Sequence, residues 1–352
     1  MGKVSLKIDG RQIDVPSGIT VLHAARMSGI KIPTLCHDKE LTNPGACRLC
    51  VVKIDGIRNL PASCVTEVKD GMVVLTSSPE IIDARKIILE LLLSNHPQDC
   101  MTCEKCGDCK LQDYAYEYGV KEAPFIGEKN EYPLDDSNPL ILRNNNKCIL
   151  CGKCVRVCDE VVGKNIYDYA HRGFQTQVVP TLGKKIESTD CVFCGSCIAV
   201  CPVGALSEKQ MMGKARKWEV QKTRTICPYC GVGCSIDLNT KEGKIIGITS
   251  SQDSVVNGRH LCVKGRFGYN FIQHPDRLKT PLIKVNDNFR EVSWEEALKY
   301  TAEKLSLIKK TYGSESFAAL SSARCTNEEN YLFNKFTRVV MGTNNIDHCA
   351  RL

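Results

Sequence analysis

The sequence predicts an α+β chain assembled from several small modules and not one large domain. Three observations carry this. Cys makes up 22 of the 352 residues and falls mostly into groups of four at ligand spacing. One group, Cys148, Cys151, Cys154 and Cys158, recurs 43 residues later as Cys191, Cys194, Cys197 and Cys201. Between the groups lie short alternating stretches of strand type, each bounded by turn residues. Length alone, at about 150 residues per domain, would suggest only two domains.

Residues 3–15 alternate Val4, Leu6, Ile8 with Ile13, Val15 around Asp9-Gly10, a hairpin signal. Thr20 then caps a helix with Val21, Leu22, Ala25 and Ile30 on its apolar face and Gly29 at its end. Strand-like Val51, Val52, Ile54 and Met72 to Leu75 complete a β-grasp module over residues 1–78. A second module, 79–120, opens with an amphipathic helix from Pro79 to Asn95, with Ile81, Ile82, Ile87, Ile88, Leu91 and Leu92 expected inward. Residues 121–139, rich in Pro, Asn, Asp and Gly, read as a surface connection. The Cys repeat defines a third module, 139–209, and residues 207–224 read as a charged helix or linker. A fourth module spans 222–278. Residues 279–352 read as helix (Ala297 to Ile308), strand (Phe317 to Leu320) and helix (Glu328 to Val340), the incomplete start of an α/β layer.

A secreted disulfide scaffold is excluded by length and by an N-terminus, Met1 to Leu6, that lacks the unbroken apolar stretch of a signal peptide. The longest apolar region, Ile87 to Leu93, is interrupted by Glu90 and far short of the roughly 18 residues of a membrane span. A cytoplasmic protein with reduced, metal-binding thiols is therefore expected. The charge of +7 does not indicate nucleic acid, because thiolate-bound clusters would cancel it and aromatics are only 6% of the chain. No nucleic-acid partner is expected.

Cys36, Cys47, Cys50 and Cys64 are expected to place three ligands on or near one loop and the fourth on a following strand, resembling a plant-type [2Fe-2S] arrangement though with different spacing. Four thiolates could equally hold zinc, and the β-grasp context favours iron. Next come His96-Pro97 and then Cys100, Cys103, Cys106 and Cys109, each three residues from the next. Five donors for one cubane leave two choices: four Cys, or His96 in place of Cys106. A neutral imidazole in place of a thiolate would raise the potential. The repeated C-x2-C-x2-C-x3-C, with Pro202 after Cys201, matches two-cluster ferredoxins, in which the fourth Cys of each run serves the other cluster. Cys227, Cys230, Cys234 and Cys262 supply a further cubane. Cys325 and Cys349 lack partners at ligand spacing and are expected to be small buried residues. His23, His37, His171, His260, His274 and His348 are read as structural. One [2Fe-2S] and four [4Fe-4S] clusters are expected.

In this order the first three groups resemble the iron-sulfur region shared by the large iron-sulfur subunit of NADH-quinone oxidoreductase, iron-only hydrogenases and cytoplasmic formate dehydrogenases. That resemblance implies a cubane held by His96, Cys100, Cys103 and Cys109, with Cys106 to spare. The run Cys227-Pro228-Tyr229-Cys230-Gly231-Val232-Gly233-Cys234, with Cys262-Val263-Lys264-Gly265-Arg266-Phe267-Gly268, is similar to the cluster domain of molybdopterin oxidoreductases, specifically formate dehydrogenase. By the same resemblance Lys264 carries electrons between this cluster and the pterin. His274 to Leu278 and Val292 to Ala297 look like the approach to the catalytic domain of that family, and Gly342 to Leu352 like the stretch leading to its catalytic Cys or selenocysteine.

The resemblance implies formate and CO2 as substrates and a molybdenum or tungsten bis-molybdopterin guanine dinucleotide. It also implies electron-transfer partners: a flavoprotein NAD(P) module, hydrogenase-type subunits or ferredoxin. No catalytic residue is expected within the 352 residues. The expectation is a selenocysteine immediately after Leu352, its UGA codon having been read as a stop, which the codon itself tests. A polyferredoxin-like carrier without catalytic activity is the alternative. A multi-zinc protein would be colourless, whereas the iron reading expects brown protein with about eighteen iron atoms in one two-iron and four four-iron sites.

Overall fold

The computed structural model describes residues 2–349. The first module is built on a four-stranded sheet. Strands β1 (Lys3–Ile8) and β2 (Arg11–Pro16) form the expected hairpin, and Asp9 and Gly10 both take the left-handed backbone of its tight turn, φ 48° and 79°. Helix α1 (Val21–Met27) starts where Thr20 accepts a hydrogen bond from the His23 N–H. Strands β3 (Lys53–Ile54) and β4 (Val73–Leu75) complete the order β2-β1-β4-β3, with β4 parallel to β1. Leu6, Ile8, Leu22, Val52 and Val74 bury the face beneath α1.

Helix α2 (Pro79–Asn95) is capped by Ser78, but its buried stripe differs from the expectation. Ile81, Arg85 and Leu89 are buried, while Ile87 and Leu91 are about half exposed. At 100° per residue, Ile87 lies on the side of the helix away from Arg85. Arg85 is tolerated inside because its guanidinium donates to the Val51 carbonyl at 2.8 Å and the Tyr118 hydroxyl at 3.0 Å. A short helix α3 (Lys110–Glu117) follows the second Cys group.

In the third module the Cys repeat is also a backbone repeat. Strand β5 (Ile141–Arg143) precedes the first run, which leads into α4 (Lys153–Arg156). Strands β6 (Tyr167–Ala170) and β7 (Gln177–Pro180) form a hairpin between the runs, and the second run leads into α5 (Ser196–Val200). Strand β8 (Leu206–Glu208) then returns to pair antiparallel with β5.

The stretch 207–224 is thus neither one charged helix nor a free linker, its only helical part being a 3-10 turn at Lys217–Glu219. Its start belongs to β8 and its end to β9 (Gln221–Ile226), which pairs with β10 (Ser235–Lys241) beside β11 (Lys244–Thr249). The alternation there was masked by charge; long-range partners in β5 and β10 satisfy the backbone as strand. Helix α6 (Val263–Phe267) begins directly at Cys262.

Beyond it, β12 (Leu282–Val285) and β13 (Asn288–Glu291) form a hairpin that the sequence reading lacked. Helix α7 (Trp294–Tyr312), strand β14 (Ala319–Ser321), helix α8 (Asn327–Lys335) and strand β15 (Ile346–His348) follow, with β14 parallel to β15. Cys325 and Cys349 are exposed, contrary to the expectation of buried apolar residues. Cys325 precedes α8 and Cys349 follows β15, each just outside an element that would have packed it. Ala350, Arg351 and Leu352, the end of the stretch compared with the approach to a catalytic residue, lie outside the described residues. No helix among the described residues is long and apolar enough to cross a membrane.

Candidate metal centres

The fold gathers the Cys residues into five sets. In the first, the Cys36 sulfur accepts from Cys47 and Cys64, and Cys64 also faces Cys50. The donated protons of Cys47 and Cys64 drive Cys36 down to about 2, while Cys64, which keeps its proton, is pushed far up. The Cys47 N–H also points at the Cys36 sulfur at 3.4 Å. Gly45 makes this loop possible with a left-handed φ of 62°.

In the second set, Cys100 lies within reach of Cys103 and Cys106, and Cys109 within reach of Cys103. His96 ends α2 and is buried, 9% exposed. Its Nδ1 pairs with the Pro97 carbonyl at 2.8 Å, which places the ring proton there and leaves Nε2 as a free lone pair. Nε2 is buried and has no hydrogen-bond partner. Burial holds the ring below its ordinary pKa, so it is the neutral ligand form. Lys147 touches this set: burial opposes its charge, but Asp99 at 2.8 Å and the Cys103 thiol beside it raise its pKa overall.

The third and fourth sets exchange members between the two runs. Cys148, Cys151 and Cys154 all face Cys201, whereas Cys158 faces Cys191 and Cys194, and Cys197 faces these same three. Leu150 and Phe193 occupy equivalent left-handed positions, φ 52° and 51°, as do Gly152 and Gly195, φ 66° and 71°. These turns aim the Leu150 and Phe193 N–H groups at the Cys148 and Cys191 sulfurs, each at 3.4 Å. Burial pushes Cys148 up to about 11, and Cys151 and Cys197 to about 12. Four such thiols do not ionise together unless a cation replaces their protons, which is the behaviour of a metal ligand set.

In the fifth set, Cys227, Cys230, Cys234 and Cys262 face one another. The Gly265 N–H points at the Cys262 sulfur at 3.5 Å, and Lys264 is exposed on the same short helix. The orphaned His96 nitrogen and the N–H groups directed at sulfur all fit clusters held by these residues. Among the described residues no three His, Cys, Asp or Glu side chains converge as closely as a single metal ion requires. Cluster thiolates stand wider apart, because iron and sulfide occupy the space between them.

Basic side chains join the sets, and the sequence reading passed over them. Arg156 donates to the Cys36 carbonyl at 2.8 Å and the Cys151 carbonyl at 3.1 Å, linking the first set to the third. Arg266, 2% exposed, donates from Nε to the Cys194 carbonyl at 2.9 Å, linking the fifth set to the fourth. Buried Asp38 pairs with Lys153 at 3.5 Å and with Arg259. Their only sequence signal is position: Arg156 and Arg266 follow Cys154 and Cys262 by a few residues, with nothing to mark which partner they reach.

Comparison with known proteins assigns each set a family. Residues 2–79 match a 2Fe-2S iron-sulfur cluster binding domain, and 85–124 the NADH-ubiquinone oxidoreductase-G iron-sulfur binding region. Residues 138–207 match the ferredoxin-like domain of NADH-quinone oxidoreductase subunit 3. Residues 220–274 match the molybdopterin oxidoreductase Fe4S4 domain, and 277–352 molybdopterin oxidoreductase. NADH-quinone oxidoreductase G 2 of Rhizobium meliloti is 40% identical over 350 residues, and the alpha subunit of the NADPH-Fe(3+) oxidoreductase of Geobacter sulfurreducens 40% over 349. The formate dehydrogenase-like protein YrhE of Bacillus subtilis is 34% identical over 390 aligned positions. Each alignment takes in 99% of this chain but only 40% of the relative, so the chain spans about two fifths of their length. A solved structure of an NAD+-reducing [NiFe]-hydrogenase in the H2-reduced state is similar at 33% identity and a TM-score of 0.56, covering 60% of this chain and 90% of that one. With five family models matched in order, the chain is similar along nearly its whole length to the iron-sulfur and adjoining molybdopterin region of molybdopterin oxidoreductase large subunits, and is homologous to NADH-quinone oxidoreductase G and to formate dehydrogenase-like proteins.

Proposed function

We propose that this chain is the electron-transferring portion of a molybdopterin-dependent formate dehydrogenase that interconverts formate and CO2. The observation that carries the reading is the direct contact between the molybdopterin-type set and the ferredoxin-like pair, made by Arg266 on the Cys194 carbonyl. When bound, the clusters supply one-electron transfer, and the molybdenum or tungsten pterin the two-electron oxidation of formate.

In this reading Cys36, Cys47, Cys50 and Cys64 hold the [2Fe-2S] group. His96, Cys100, Cys103 and Cys109 hold the second-module cubane, supported by the unpartnered His96 Nε2. Cys148, Cys151, Cys154 and Cys201 hold one ferredoxin-like cubane, and Cys191, Cys194, Cys197 and Cys158 the other. Cys227, Cys230, Cys234 and Cys262 hold the last, and Lys264, exposed on the helix that starts at Cys262, would carry electrons between it and the pterin. The third set borders the first through Arg156 and the second through Lys147, while Cys47 of the first set and Cys109 of the second meet in one apolar cluster, so that electrons can pass from the ferredoxin-like pair to the His96 cubane and on to the [2Fe-2S] group. Either end can serve a flavoprotein NAD(P) module, a hydrogenase-type subunit or ferredoxin.

A second reading, a carrier subunit without catalysis of its own, is favoured by the 40% identity to an NADH-quinone oxidoreductase G against 34% to the formate dehydrogenase-like protein. Anaerobic viologen reduction by the whole natural protein, assayed with formate and with NADH, separates them. Formate-dependent reduction is expected. Its absence in protein carrying the full iron and a molybdenum or tungsten complement overturns the formate reading.

A further inference from the structure

The second metal set offers five donors to a site for four. Three, Cys100, Cys103 and Cys109, are common to any choice. The fourth place has two contenders, and the structure prepares both. His96 is fixed as the helix end, buried, with Nδ1 tied to the Pro97 carbonyl at 2.8 Å and Nε2 unpartnered. Cys106 is held as well. Gln112 grips its turn, accepting from the Gly107 N–H at 3.2 Å and donating to the Cys106 sulfur at 3.7 Å. Gly107 takes a left-handed φ of 83° with the Trp218 ring packed against it, so the turn has little room to drift. Cys106 is half-buried and lies at the edge of a surface cleft of about 390 Å³ shared with Cys103. It remains within reach of Cys100.

We propose that Cys106 is a reserve ligand: it replaces His96 at the cubane of the second module, giving that site two interchangeable donor sets. The proposal rests on the reading that this site holds a four-iron cluster. The exchange is a ligand substitution with no redox change: the Cys106 thiol gives its proton to solvent at the adjoining cleft as its sulfur becomes the donor, and His96 leaves as the neutral imidazole, its Nδ1 still on the Pro97 carbonyl. A thiolate in place of a neutral imidazole adds one negative charge to the ligand set and lowers the potential of the site. The same chain can therefore present a higher-potential and a lower-potential form of this centre.

The test uses whole protein prepared anaerobically, with iron and sulfide content, low-temperature paramagnetic resonance and a redox titration as readouts. H96A is expected to keep its iron, with an altered resonance and a midpoint shifted negative. C106S is expected to keep its iron and to show only the higher-potential form. H96A/C106S is expected to lose about four irons per chain, the content of one cubane. Loss of about four irons from H96A alone overturns the reserve role. Loss from C106S alone overturns it too, because Cys106 would then be the resident ligand. Full iron in the double variant overturns it by pointing to a sixth donor. C103A tests the underlying cluster reading separately: unchanged iron there removes the cluster from this site altogether. Should H96A fail to fold, H96N, which retains a polar helix end, gives the same comparison.

Discussion

Glu208 shows how one side chain can carry a pH dependence through the metal-binding core. It sits on β8, 7% exposed, with Oε1 lacking any hydrogen-bond partner. Burial raises its pKa from 4.5 to about 7, against the opposing pull of Arg266. The folded state therefore holds a proton between those values that the unfolded chain has released. Stability contributed by the neutral acid is complete below pH 4.5 and declines as pH rises to about 7, by on the order of 3 kcal/mol. E208Q, which stays neutral, is expected to raise the urea midpoint at pH 8 and leave it unchanged at pH 4. Cluster absorbance of the anaerobic protein follows this unfolding, and an equal effect at both pH values would contradict it.

At the level of elements, close approach decides what each loop may carry. The segment between α5 and β8 passes so near the second metal set that a Cβ on Gly204 would stand 2.6 Å from the Cys103 sulfur. Its backbone is not left-handed, so the constraint is space alone. G204A is expected to push Cys103 aside, costing about 1–3 kcal/mol and reducing iron at that site. Iron content and resonance of G204A check this, and full retention of the wild-type spectrum would show that the loop can give way. In the same manner Gly195 admits Arg266 and Phe267 against the fourth set, and Gly152 admits Tyr169 against the third. The repeat thus uses equivalent glycines to dock different neighbours on its two halves.

Across the whole molecule the modules are joined by buried charge as well as by apolar contact. Asp38, of the first module, pairs with Lys153 of the third and Arg259 of the fourth, all with side chains no more than 7% exposed. Removing the acid strands buried Lys153 and leaves Arg259 with Glu40 alone at 3.0 Å, which costs about 3–5 kcal/mol. D38N is expected to loosen these junctions while leaving each local Cys set intact. Limited proteolysis between residues 121 and 139 and iron analysis on the same sample distinguish this from general unfolding. An apolar contribution exists as well: Leu35, Leu89, Leu111 and Val203, drawn from three modules, share one cluster.

The sequence by itself determined the Cys repeat, the first hairpin turn and the first helix cap, because each depends on local information. Ligand spacing within a few residues, the repeat of Cys148 to Cys158, the Asp9-Gly10 turn and the Thr20 cap are set by neighbours along the chain, and each reappears in the structure. Chain order could not reveal which thiols meet across the fold, that residues 207–224 divide between two sheets, or that Arg85 and not Ile87 faces inward. Those outcomes are fixed by partners far away in sequence. Only the tertiary structure decided that Arg156 and Arg266 bind carbonyls of Cys in other modules, that His96 Nε2 is left without a partner, and that Cys325 and Cys349 face outward. A buried charge or lone pair is defined by what surrounds it, and those surroundings exist only once the chain has folded.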